Sequence, residues 1–159
     1  MNPISLRVES TTDEYFLRQL YASTRSKEMV LTPWSEALKE AFLNQQFDLQ
    51  RDHYRQHYPE TEFMLILNED KPIGRWYLHS NTDHLLLLDI SLLPDYCNQG
   101  IGSYLLNTLL VKGTQQHKPV RLHVENHNRA KSLYLRLGFS MIEDKGIYLL
   151  MQWLPHTTN

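Results

Sequence analysis

The sequence predicts an α/β fold in the α+β sense: about seven strands and about four helices, in a single domain over residues 1–159. Three observations predict it. Short apolar runs and alternating stretches, bounded by Gly, Pro, Asn and Asp, recur along the chain with the two-residue period of strands. Between them lie longer stretches whose apolar residues return every three or four positions, as on a helix with one buried face. Two pairs of strand-like runs sit close together in sequence, across Asn68–Lys71 and Asp144–Gly146, as hairpins do.

Ile4 to Val8 alternates apolar and polar, the pattern of a half-buried strand. Thr11 or Thr12 is placed to cap a helix carrying Tyr15, Phe16, Leu20 and Tyr21 on one side. The polar segment Thr24 to Glu28 separates it from Thr32-Pro33-Trp34-Ser35-Glu36, which combines a capping hydroxyl, a proline for the first helical position and an acid for the first turn. That helix runs to about His57, with Trp34, Leu38, Ala41, Phe42, Gln45 and Leu49 as its expected inner stripe. Its second half, Gln46 to Tyr58, is polar and aromatic.

Phe63 to Leu67 and Pro72 to His79 form the first hairpin, and Asn81-Thr82-Asp83 turns into a strand that begins with four leucines, Leu85 to Leu88. Pro94 and Asp95 stop it. A helix follows from Tyr104, with Gly113 near its expected end. Val120 to Val124 is the next strand, Arg129 to Leu137 a helix closed by Gly138, and Phe139 to Glu143 with Ile147 to Trp153 the last hairpin.

Length and composition bound the function. A chain of 159 residues fits one domain and buries ~70% of the surface its unfolded form exposes, so its core needs no staple. A formal net charge of −2 supplies no general attraction to nucleic acid or to an anionic membrane, and neither is an expected partner. One cysteine, Cys97, excludes an intrachain disulfide and points to a reducing compartment. Met1 to Arg7 lacks the basic and apolar regions of a signal peptide, and the longest apolar run, Leu85 to Leu93, is interrupted by Asp89 and far shorter than the ~20 residues of a bilayer span. A cytoplasmic location is expected.

The stretch from His84 to Ser103 organises the rest: a strand, a glycine-bearing loop and the start of a helix. A helix start carries about four N–H groups without partners in the helix and roughly half a positive charge from the macrodipole. Gly100 and Gly102 remove the Cβ atoms that would hold a ligand away from those donors. Such a place suits phosphate or pyrophosphate. Leu105 stands where a dinucleotide fingerprint needs its third glycine, and no Gly-Lys-Ser/Thr triplet of a P-loop lies nearby.

The loop resembles the acyl-CoA-binding motif of the GNAT superfamily of N-acetyltransferases, Gln/Arg-x-x-Gly-x-Gly/Ala. Gln99-Gly100-Ile101-Gly102 supplies its core, and Pro94-Asp95-Tyr96 supplies the turn before it. The first motif position falls on Cys97, neither Gln nor Arg, which weakens one expected diphosphate contact while the N–H donors around it survive. Downstream, Asn128-x-Ala130-x-x-Leu133-Tyr134-x-x-x-Gly138-Phe139 resembles the second signature of that family, with the Asn-to-Ala spacing one residue short of the commonest form. The element order is also that of the family, so the resemblance covers nearly the whole chain. It implies a central mixed, mostly antiparallel twisted sheet, and acetyl-CoA as cosubstrate with no metal.

The resemblance also assigns roles. The pantetheine arm would pair with the backbone of Ile90, Ser91 and Leu92 as an added strand does, with an N–H near Leu92 donating to the thioester carbonyl. The diphosphate would lie on Gln99, Gly100, Ile101, Gly102 and Ser103, with Asn128 at the pantetheine or as a helix cap. Tyr134 matches the tyrosine that donates a proton to the departing thiolate; plain packing is the other role for a tyrosine on a helix. An amine near pKa ~10.4 must lose a proton before attack. Asp89, an acid among leucines, is the first candidate base because burying an unpaired charge is costly; Glu125 and His123 are its rivals.

Other readings carry less. Cys97 beside a helix start suits a nucleophile, but the family transfers directly and sequence fixes no histidine beside it. His53 and His57 have metal-compatible spacing, yet the intervening Glu of the zinc-protease pattern is absent and Tyr54 stands in its place. The expected acceptor is a small-molecule amine or a peptide amine, with the second half of the long helix as the acceptor-side candidate. A non-catalytic acyl-CoA-binding module and a longer-chain donor are the alternatives. Leu149, Leu150 and Trp153 serve either the core or the seam of a homodimer.

Overall fold

The structure is a computed structural model and describes residues 3–156. Its strands are β1 (Ile4–Val8), β2 (Glu62–Asn68), β3 (Lys71–Ser80), β4 (Leu85–Leu92), β5 (Val120–Glu125), β6 (Ser140–Asp144) and β7 (Tyr148–Trp153), and its helices α1 (Glu14–Thr24), α2 (Ser26–Val30), α3 (Glu36–His57), α4 (Ile101–Gln116) and α5 (Ala130–Arg136). The seven strands form one sheet in the order β1-β2-β3-β4-β5-β7-β6. β4 and β5 pair in parallel, whereas β1 with β2, β5 with β7 and β6 with β7 are antiparallel. This is the sheet the sequence predicts, with one helix more than expected: α2 occupies the polar segment after α1.

The chain divides into two compact units. One is built from the chain up to Tyr77 together with Ile90–Cys97, the other from Leu78–Asp89 together with the chain from Asn98 onward. In the first unit α1 packs on α3. Leu17, Tyr21, Phe47, Leu65 and Leu67 make the core, with Phe16 and Leu43 against it, and the Tyr21 and Phe47 rings meet edge to face at 5.9 Å.

Two expectations about α3 are corrected. Ser35 is the N-cap, its Oγ accepting from the Leu38 N–H at 3.2 Å, so Pro33 lies outside the helix. The inner face runs through Leu43, Phe47 and Tyr54; Trp34, Leu38 and Leu49 are 42%, 58% and 57% exposed. The first half of the helix carries apolar residues on more than one side. The buried side is completed later, by Tyr54 and the half-buried stems of Gln50 and Arg51, which a count of apolar residues does not see.

α1 starts from a short 3-10 turn, Thr11–Asp13, which Ser10 caps; Asp13 is the N-cap of α1 itself, so neither Thr11 nor Thr12 caps the helix. Asp13 is buried there. It accepts two hydrogen bonds from the Arg7 guanidinium, each 2.9 Å, and one from the Ser10 N–H at 2.8 Å. Its carboxyl is held down at about 2, chiefly by the Arg7 hydrogen bonds and against the cost of burial. Since the folded pKa lies below the unfolded value, this stabilisation is present above pH ~4 and is lost as pH falls toward 2. Asp13→Asn is therefore expected to lower the melting temperature at pH 6 and to narrow the gap from wild type by pH 2, read by thermal melts across that range.

In the second unit α4 and α5 pack on β5. Gly113 is not a terminal residue. α4 continues to Gln116, and His117, at φ 56°, is the left-handed cap. A Cβ at Gly113 would lie 3.0 Å from the Lys118 carbonyl oxygen, 3.0 Å from Trp153 and 3.1 Å from Val120, so glycine serves the close approach of helix and sheet. Gly138 closes α5 with φ 102°, as expected. Leu149 and Trp153 are buried in the core and Leu150 is half-buried.

Candidate active site

β4 changes character along its length. Leu85, Leu86 and Leu87 are buried and pair with Val120, Arg121 and Leu122, while Leu88 to Leu92 are half-buried. In the first unit the end of the strand is fixed by the Leu93 N–H donating to the Ile73 carbonyl at 2.8 Å. Opposite Ser91 stands Gly74, where a Cβ would fall 2.2 Å from the Ser91 carbonyl oxygen and 3.0 Å from Leu92 Cδ2. Only glycine lets the backbone of β3 lie so close. The single glycine within this strand was the available signal.

The chain then makes a 3-10 turn, Pro94–Tyr96. The Cys97 thiol points back at the Leu92 and Leu93 carbonyls, 3.7 and 3.5 Å away, and partial burial pushes its pKa up. The thiol stays protonated near neutral pH, opposite to what a nucleophilic cysteine needs.

In the second unit Gly100 takes φ 85°, a left-handed conformation that favours glycine, and caps α4. The Tyr104 backbone N–H donates to the Gly100 carbonyl at 3.0 Å and closes the first turn. Helix geometry leaves the N–H groups of Ile101, Gly102 and Ser103 ahead of that ladder. The first turn of α4 holds no acidic side chain, so its positive end keeps its field.

The same unit holds the titratable candidates. Val120, Leu122 and Val124 are buried on one face of β5, and alternation puts Arg121, His123 and Glu125 on the other. Asp89, two residues past Leu87, follows by the same alternation the face of Leu122, the partner of Leu87. Tyr134 is buried on α5, 5.8 Å from the Phe139 ring and edge-on to it. Its pKa is pushed up to about 12, first by burial and second by the negative charge of Asp89. The structure thus brings Tyr134 and Asp89 into electrostatic range, and places Glu125 and His123 on the opposite face of the strand.

His123 sits with its Nε2 3.3 Å from Lys145 Nζ, and its pKa is lowered by lost hydration and by Lys145, against the pull of Glu143. Asn128 accepts from the Ala130 N–H, the first of α5, through Oδ1 at 2.9 Å. His53 and His57 stack with ring centroids 4.3 Å apart, and among the described residues no group of three or more His, Cys, Asp or Glu could hold a metal. No helix among those residues is long and apolar enough to cross a membrane.

The sequence profile described as the Acetyltransferase (GNAT) family matches residues 18–139. No protein with a curated description matches the chain in sequence. Among solved structures, the chain is similar to PaiA N-acetyltransferase from Thermoplasma acidophilum in complex with coenzyme A, with 21% identity, a TM-score of 0.70, and 96% of this chain and 99% of that one covered. It is similar to the ribosomal-protein-S18-alanine N-acetyltransferase from Escherichia coli at 19% identity and TM-score 0.64, covering 99% and 97%. A GNAT family acetyltransferase from Elizabethkingia anophelis with acetyl-CoA bound gives 18% identity and TM-score 0.60, covering 95% and 97%. These likenesses establish the shared fold, and the profile match spans most of the sequence: the chain belongs to the GNAT family of acetyltransferases.

Proposed function

We propose that this protein transfers an acetyl group from acetyl-CoA directly to an amine, a small-molecule amine or a peptide amine, in a single domain. The observation that carries the reading is a left-handed Gly100 loop at the start of a helix whose first turn holds no acid, in a chain that also buries Tyr134 within electrostatic range of Asp89. The loop fits a diphosphate: Gly100 removes a side chain where the backbone turns, and no acid opposes the charge.

Gln99 through Ser103 would hold the diphosphate, and Ile90, Ser91 and Leu92 the pantetheine arm. Acetyl-CoA supplies an activated thioester, whose carbon–sulfur bond breaks as the carbon–nitrogen bond forms. Asp89 takes the proton that the ammonium must lose. The Leu92 N–H donates to the carbonyl oxygen as its charge grows. Tyr134 donates to the departing sulfur. With a pKa of about 12 the phenol is a weaker acid than a free thiol, whose reference value is ~8.5. Its contribution is therefore a hydrogen bond that strengthens as charge builds on sulfur, while the amine provides the net proton. Asn128 shapes this region by holding the Ala130 N–H at the start of α5.

Thiol release from acetyl-CoA over a panel of small amines and peptide N-termini tests the reading. The expected result is amine-dependent release with intersecting initial-velocity lines, as a ternary complex gives. Parallel lines, or an acetylated protein accumulating without amine, would contradict direct transfer.

A further inference from the structure

We propose that the first unit carries a second binding site, a cavity for a small organic carboxylate with a flat apolar body. The cavity measures about 750 Å³, inside the range that holds small-molecule ligands. Its wall comes from the end of β1, the start of α1, the second half of α3, the start of β2 and the middle of β3. None of the lining residues belongs to β4, to the Gly100 loop or to the group around Tyr134. The aromatic second half of α3 thus has an occupant of its own to explain.

The wall offers rings at right angles. Phe63 and Tyr77 meet edge to face at 4.9 Å, and Tyr54 meets Tyr77 at 6.0 Å. Phe47 closes the floor with the Arg18 and Arg51 guanidinium groups 4.6 and 5.1 Å from its centre. Perpendicular rings present both faces and edges, the surroundings an aryl group prefers.

Charge selects the head group. The three lining carboxylates are all engaged. Glu9 accepts from the Tyr77 hydroxyl at 2.6 Å, Glu14 lies between Arg51 and Arg18, and Glu62 also has a partner. The surplus is on the donor side. Arg55 lines the cavity, is exposed, and has no ion-pair or hydrogen-bond partner among the described residues. Thr61 is buried with its Oγ1 unpartnered, and Arg51 Nε is a second buried donor without an acceptor. A buried polar group left unsatisfied is costly. A carboxylate paired with Arg55 brings oxygen acceptors to the cavity that Thr61 and Arg51 also line. An amine would find every carboxylate already taken.

Titration of the full chain with phenylacetate, with benzylamine as comparator, tests this by melting temperature and by calorimetry. Phenylacetate is expected to bind saturably and to do so equally in the presence of saturating acetyl-CoA, while benzylamine does not bind. Arg55→Gln, at an exposed position outside the acyl-transfer residues, weakens phenylacetate at least tenfold. Thr61→Val keeps the side-chain shape, weakens phenylacetate several-fold and raises the melting temperature of the ligand-free protein. No phenylacetate binding, equal binding of benzylamine, displacement by acetyl-CoA, or unchanged affinity in Arg55→Gln would each overturn the proposal. Because Arg55 and Thr61 take no part in acetyl-CoA binding, this result stands apart from the acetyltransferase reading.

Discussion

Tyr134→Phe is expected to lower kcat by about 10²-fold or more while leaving the Kd for acetyl-CoA within about twofold, in line with what one preorganised hydrogen-bond donor to developing charge contributes. The substitution removes one hydroxyl and keeps the ring that packs on Phe139, so the fold should hold. The effect falls on kcat because sulfur carries little charge in the ground state and gains it as the bond breaks. Such an interaction acts in the transition state rather than in binding. Burial and Asp89 hold the phenol protonated up to about pH 12, so tyrosine ionisation should cause no loss of turnover below pH 10. Single-turnover rates and calorimetry on the same preparation separate the two quantities. Turnover equal to wild type would remove Tyr134 from the chemistry and leave it a core residue.

Gly74→Ala should reduce both stability and acetyl-CoA affinity. The added Cβ would meet the Ser91 carbonyl oxygen at 2.2 Å, and a backbone atom cannot rotate aside as a long side chain can. β3 and the Ser91–Leu92 segment must separate. Overpacking of this kind costs about 1–3 kcal/mol. The strand segment proposed to receive the pantetheine arm shifts with it, and displacements near 1 Å cost roughly 10²-fold in rate. The expected result is a lower melting temperature, acetyl-CoA binding weakened about tenfold or more, and kcat reduced further. Lower stability with unchanged acetyl-CoA affinity would mean that the arm does not lie along Ser91 and Leu92.

Much of this architecture was legible in the residue pattern because strands and helices with one clear period declare themselves. β1 matches its expected bounds, β2, β3 and β5 differ from theirs by a residue or so, and α5 with its Gly138 stop follows from local chemistry alone. α3 was legible in extent but not in facing, since its buried side is made partly of Gln50, Arg51 and Tyr54. Gly113 shows a different limit. A glycine near a helix end reads as a cap, and only the approach of Trp153, Val120 and Lys118 reveals its packing role.

The candidate site divides along the same line. The loop from Cys97 to Ser103 and the segment around Tyr134 are contiguous, so spacing exposes them. The choice among Asp89, Glu125 and His123 depends on which face of a strand each occupies. That follows from the β4–β5 register, which links residues more than thirty positions apart. The cavity wall joins five separated elements, and nothing in the spacing of Glu9, Arg55 and Thr61 brings them together.

Calorimetric titration of the purified protein with acetyl-CoA, with CoA and NAD as comparators, tests the central claim most directly. Micromolar binding of acetyl-CoA and CoA, with none for NAD, is the predicted result, as a Gly100 loop that seats the CoA diphosphate requires. No binding of acetyl-CoA would contradict the account: the cysteine at position 97 would then mark a loop that has lost its ligand, and the acyl-transfer roles given to Tyr134 and Asp89 would fall with it.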